Sequence, residues 1–218
     1  FIGNIILALF TLYKNPKSAT NILFFLFTLS LAIYLLLNYL LTQQTTDEAT
    51  FFLVKMVMSI ALFINLLFFL LSSTFPRYKL ELRINIFWIS LLATFLLLPL
   101  VQLNLIFQSA KAFGGGGVPG PGMLLFLLHT VIFLGGGFII LVKKHKKSTG
   151  TEKIQIKLFL LGTVFMFMSI LITNLLFVLI FNTSAFVGLL PIYTLVFVGT
   201  ISYAIVRHRF LDIRKVVA

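Results

Sequence analysis

The sequence has 218 residues, 60% of them hydrophobic and only 10% charged, with a mean hydropathy of +1.13. A water-soluble domain is near half apolar and a quarter charged, so this composition excludes one. A net charge of +12 does not indicate nucleic acid, because the basic residues form short clusters between apolar runs rather than one wet face.

A helix rises about 1.5 Å per residue, so roughly 20 apolar residues cross a hydrocarbon core of about 30 Å. The first apolar run, Phe1–Tyr13, is too short for this and reads as the inner part of a truncated helix. Lys14-Asn15-Pro16-Lys17 makes a turn, with Pro16 stopping the first helix. Full-length spans follow at Asn21–Leu41, Phe51–Leu71, Ile84–Leu103, Met123–Val142, Leu158–Phe181 and Ala185–Val206. The runs are continuous rather than alternating, which excludes a membrane barrel and predicts an all-α bundle of seven transmembrane helices. Between the fourth and fifth spans, the glycine-rich Gly114–Gly122 reads as a flexible external connection. It lacks the Lys-Ser/Thr of a phosphate-binding loop. Gly135-Gly136-Gly137 in the fifth span permits close helix packing or a kink, and Pro99 and Pro191 are further candidate kinks. Asn182-Thr183-Ser184 matches a glycosylation sequon but lies too close to the membrane for modification.

Loop charge gives the orientation. Fifteen of the 17 basic residues, among them Lys14, Arg83, Lys143, Lys144, Lys146, Lys147 and Arg207, lie in loops on one side. Only Lys55 and Lys111 belong to the other, beside the acidic Asp47 and Glu48. Basic loops mark the cytoplasm, so the N-terminus is outside and the C-terminus inside a bacterial-type cytoplasmic membrane. Tyr13, Tyr78, Trp88 and Tyr203 fall at inner boundaries, as interfacial aromatics do.

The five acidic residues all lie in loops or at boundaries, and no nucleophile–base pair converges, so no catalytic residue is assigned. With three histidines and no cysteine, neither a metal nor another cofactor is expected. No lysine stands in the seventh span, which excludes a retinal photoreceptor. Ionisable residues within spans are costly and mark functional candidates. His129 is the one histidine there, and Lys55 lies a turn below the outer surface, where it can snorkel to water. Lys55, Gln102, Asn104, His129, Thr173, Asn174 and Tyr193 all fall roughly 6–12 Å below the outer ends, counted at about 1.5 Å per residue. Two readings fit this layer. Either its members are polar contacts between helices, or they line a pocket open to the outside that admits a small or amphipathic ligand. The inner half of the spans is poor in polar residues, which argues against a transport path.

After the seventh span, Val206, Phe210, Ile213 and Val217 follow 4-3-4 spacing, the start of a coiled-coil seam; a basic helix on the membrane surface fits the same residues. Arg207, Arg209, Phe210, Asp212 and Ile213 are therefore the candidate output residues. The stretch SYAIVRHRFLDIR, with the early NPKSATNILFFLFTLSLAIYLLL, resembles the seven-helix sensor region that begins many bacterial histidine kinases. That resemblance implies a sensor input domain without kinase activity, joined to a cytoplasmic output module of the parent chain. The chain opens Phe1-Ile2-Gly3 and closes in a basic segment, as a piece of a longer protein would. The expected division is a membrane domain over 1–206 and the start of a cytoplasmic signalling helix over 207–218. Its partners are the lipid bilayer, a ligand, the output module and a second copy in a homodimer, with no nucleic acid. A small transporter or channel, and a structural subunit of a membrane complex, are the alternatives.

Overall fold

The computed structural model describes residues 1–76, 82–112, 117–181 and 185–208. Its helices are α1 (Ile2–Lys14), α2 (Ala19–Thr42), α3 (Asp47–Thr74), α4 (Ile84–Gln102), α5 (Met123–Lys147) and α6 (Gly150–Ile170). α6 runs through a π-helical turn, Leu171–Leu176, into the short α7 (Phe177–Phe181). A 3₁₀ turn, Ala185–Leu189, then leads into α8 (Leu190–His208). Among the described residues six helices are long and apolar enough to cross a membrane, and α1 adds a shorter apolar helix. The architecture agrees with a seven-helix membrane bundle.

Local chemistry sets the helix starts. Ser18 caps α2 by accepting from the Asn21 amide at 3.4 Å, and Thr46 caps α3 by accepting from Ala49 at the same distance. Asp47 and Glu48 in the first turn of α3 meet the positive end of its dipole. Pro191 lies not in a helix interior but where the 3₁₀ turn passes into α8. This residue occupies the first turn of α8, where a missing amide hydrogen costs nothing. The described parts of the connection between α4 and α5 also carry more structure than its composition suggests. Phe107–Ala110 (β1) pairs antiparallel with Gly117–Pro119 (β2), because buried Phe107 and Ile106 anchor one arm against α3.

The helices close on themselves through the contacts α1–α2, α2–α3, α3–α5, α5–α6, α6–α8 and α8–α1, while α4 packs outside against α3 and α5. Lipid tails are as apolar as leucine, so close packing rather than hydrophobic burial holds such a ring together. Phenylalanine supplies that packing at the centre. Phe24, Phe27, Phe68, Phe159 and Phe197 are fully buried. Phe27 meets Phe68, Phe167 and Phe197 at centroid distances of 5.9–6.1 Å, the last edge-to-face. Each such pair contributes about 0.5–1.5 kcal/mol beyond its area. Two glycines make room for this core. A Cβ on Gly137 would stand 2.6 Å from the Phe68 ring, and one on Gly162 would collide with the Thr200 hydroxyl, so α5 approaches α3 and α6 approaches α8 closely. The outer surface is apolar, with Leu92, Leu96, Val131 and Ile132 exposed as lipid-facing residues must be.

Candidate functional site

The two ends of the bundle are identified by contacts that cross it. At one end the Ala112 amide donates to the Asp47 carboxylate at 2.8 Å, tying the β-hairpin to the start of α3. At the other, the Lys144 ammonium donates to the Ser73 and Phe75 carbonyls at 2.6 and 2.7 Å. These are orphan carbonyls at the end of α3, whose last turn holds no basic residue of its own. Sequence reasoning placed Lys144 only among the cytoplasmic charges. The signal available was a helix ending before Pro76 whose last turn carries no basic residue.

The polar layer divides into separate contacts. Lys55, Gln102 and Asn104 come together across α3 and α4. The Lys55 ammonium donates to Asn104 Oδ1 at 3.3 Å and stands 5.0 Å over the Phe51 ring. Gln102 Nε2 donates to Ser59 Oγ at 3.1 Å, and Ser59 donates to the Lys55 carbonyl. Gln102 and Asn104 are exposed, so this group faces outward from the end of the bundle. Asn104 also has a backbone role. With φ 62° it ends α4 in the left-handed conformation, its amide bonded to Val101 O and that of Leu105 to Leu100 O. Asparagine tolerates this conformation better than most residues.

His129 belongs to a second group, buried between α4 and α5. Its Nε2 lies 3.0 Å from Thr94 Oγ1, whose own hydrogen goes to the Ser90 carbonyl. The threonine oxygen therefore accepts, which assigns the ring proton to Nε2 and leaves Nδ1 as an acceptor. Nδ1 is buried and has no hydrogen-bond partner among the described residues. The ring stacks on Phe133 at 4.1 Å. Next in sequence, Thr130 accepts from Asn65 Nδ2 at 3.0 Å and so links α5 to α3.

Tyr193 stands elsewhere, half-buried on α8 and edge-on to Phe165 of α6 at 6.4 Å. Thr173 lies in the π turn and donates to the Ser169 carbonyl. The Asn174 side chain lies outside the described residues, as do Arg209, Phe210, Asp212 and Ile213. Arg207 falls in the last turn of α8.

A cavity of about 70 Å³ opens between α2, α3, α5, α6 and the π turn, and Lys55, Gln102, Asn104, His129 and Tyr193 do not line it. Its walls are apolar apart from Tyr34, Asn65 and Thr130. Drug-sized ligands occupy about 300–1,000 Å³, so this space suits a few waters or one small group in the observed arrangement. Leu171 and Leu175 of the π turn form one wall. Single π turns inside α-helices recur at functional sites.

The half of the bundle at the lysine-rich end holds more polar side chains than the sequence reading allows, among them Thr11, Ser72, Ser73 and Thr74, all buried. Each of these hydroxyls donates to a carbonyl three or four residues back in its own helix. They are satisfied within their helices rather than lining a path through the bundle.

Residues 1–214 match the family model described as the N-terminal 7TM region of histidine kinase. No curated protein and no solved structure matches the chain.

Proposed function

Because the chain belongs to the family of N-terminal seven-transmembrane regions of histidine kinases, we propose that it senses a membrane-borne or extracellular signal and relays it through α8. A region of this kind is an input domain, and the catalytic and output modules belong to the parent chain. The family match over nearly the whole chain carries this reading.

A relay requires two arrangements of the bundle that the signal binds unequally. The route we propose begins at the central cavity, where an unfilled volume beside the π turn leaves the side chains a second packing. The π turn touches the 3₁₀ turn at the head of α8, and α8 packs along α6. A change at Leu171–Leu176 therefore reaches α8 directly and leaves the membrane at Arg207. Beyond it, residues 207–218 begin the signalling helix, with Val206, Phe210, Ile213 and Val217 as the seam of a homodimer and Arg207, Arg209 and Asp212 as the other output residues. Charge asymmetry supports an N-terminus outside and a C-terminus in the cytoplasm of a bacterial inner membrane.

The ligand in this reading is small or amphipathic and approaches from the outer end, where Lys55, Gln102 and Asn104 are grouped. Asn174 in the π turn and Tyr193 on α8 respond with those elements rather than meeting the ligand beside Lys55. His129 is the sensitive element, since its unpaired Nδ1 accepts a donor only when α4 or α5 shifts. His129→Leu keeps the volume and removes that acceptor. In the parent kinase it is expected to change basal autophosphorylation by about fivefold or more, the lower bound of a typical coupling energy, while membrane insertion is retained. Basal and stimulated output equal to wild type would assign His129 to packing alone.

A further inference from the structure

At the inner end of the bundle, a second cavity of about 330 Å³ lies where α3 ends, α5 ends and α6 begins. Its lining combines Lys143, Lys144 and Lys147 with Ser148, and among the described residues Glu152 is the one acidic member. Leu82 and Ile140 give it an apolar edge, both half-buried and continuous with the lipid-facing side of α5. Three features fit a phosphate carried at the head of two acyl chains.

The first feature is charge. Lys144 is held by the Ser73 and Phe75 carbonyls, so its ammonium is fixed in the wall. Lys143 and Lys147 are exposed and lie one helical turn apart on α5, where both reach the same anion. The second is backbone. α6 starts beside the cavity behind Thr149, which makes no side-chain cap, so the positive end of its dipole lies at this end of the bundle, shared with Glu152 of its first turn. The third is depth, because Ile140 and exposed Ile139 carry the apolar bilayer face up to the lysines.

We propose that this cavity binds the phosphate of an anionic phospholipid, with the acyl chains lying along α5. Basic pockets between membrane helices on the cytoplasmic side are suited to such headgroups. The cytoplasmic leaflet follows from the orientation argued above, whereas binding itself does not depend on it. A bound headgroup would clamp the end of α3 to the start of α6, the helix against which α8 packs.

The test uses the whole chain in neutral micelles, titrated with a fluorescent phosphatidylglycerol and, separately, phosphatidylcholine. Each lysine near an anionic headgroup is worth about a factor of five in affinity, so Lys143→Gln/Lys147→Gln should bind phosphatidylglycerol about thirtyfold more weakly. Lys147→Gln alone, at the exposed end of α5, should lose about fivefold and leaves the fold in place. Lys146→Gln/Lys157→Gln neutralises two lysines outside the cavity and should lose less than about threefold. An equal loss in the two double variants would reduce the effect to diffuse surface charge and overturn the proposal. So would phosphatidylcholine binding as tightly as phosphatidylglycerol, or displacement of the lipid by inorganic phosphate at low millimolar concentration, which would make the site one for a free anion.

Discussion

Phe68→Ala is expected to destabilise the bundle by about 3–5 kcal/mol, the range for emptying a large aromatic site in a packed core. Phe68 is fully buried and meets Phe138 and Phe167 at 4.9 Å, Phe27 at 6.1 Å and Phe159 at 6.3 Å. Its ring also occupies the space that Gly137 leaves open. Neither lipid nor the small central cavity can refill that volume, so the lost contacts are not replaced. Phe95→Ala is the natural comparison. This residue is 53% exposed on α4 and faces lipid, where an acyl chain takes the place of the ring. A loss of about 1 kcal/mol or less is expected there. Reversible unfolding in bicelles measures both. Equal losses would mean that the aromatic centre does not organise the bundle.

Labelling of introduced cysteines should be all-or-none by side of the membrane. The chain contains no cysteine of its own, so single substitutions report without background. Thr45→Cys lies in the exposed connection between α2 and α3, at the end shared with the β-hairpin. An impermeant maleimide should label it fully on intact cells. Thr149→Cys lies at the lysine-rich end and is also exposed, whereas the neighbouring Ser148 is buried and would report poorly from either side. It should react only after the membrane is opened. Moving fifteen basic residues outward is opposed by the bias that sets topology, so the reverse pattern would overturn the orientation and the relay built on it.

Helix number and order were readable from the sequence because continuous apolar runs of about 20 residues have few other uses. Helix ends were less readable. α3 extends to Asp47 and Thr74, and α6 begins at Gly150, because amphipathic and capped turns continue past the hydrocarbon-length window. The hairpin at Phe107–Pro119 was hidden by its glycines, since its order comes from Ile106 and Phe107 packing under it rather than from local propensity. Counting residues gives an expected depth for Lys55, His129 and Tyr193 and says nothing of their azimuth. Each residue turns a helix by about 100°, so residues at one depth can face different neighbours. That is why Lys55 and Asn104 meet while His129 turns toward Thr94 and Tyr193 toward Phe165. The π turn and the two cavities have no sequence signature, because they arise from how neighbouring helices fit.

The central claim is that rotation or translation of α8 carries the signal into the parent kinase. Insertions after Arg209 test it most directly, with autophosphorylation of the parent protein as the readout. One inserted residue rotates everything beyond it by about 100°, while seven add nearly two whole turns and one heptad. The account predicts that the single insertion locks output on or off and that the seven-residue insertion restores response to the signal. Equal behaviour of the two would mean a flexible joint at the end of α8 and would contradict a relay through that helix.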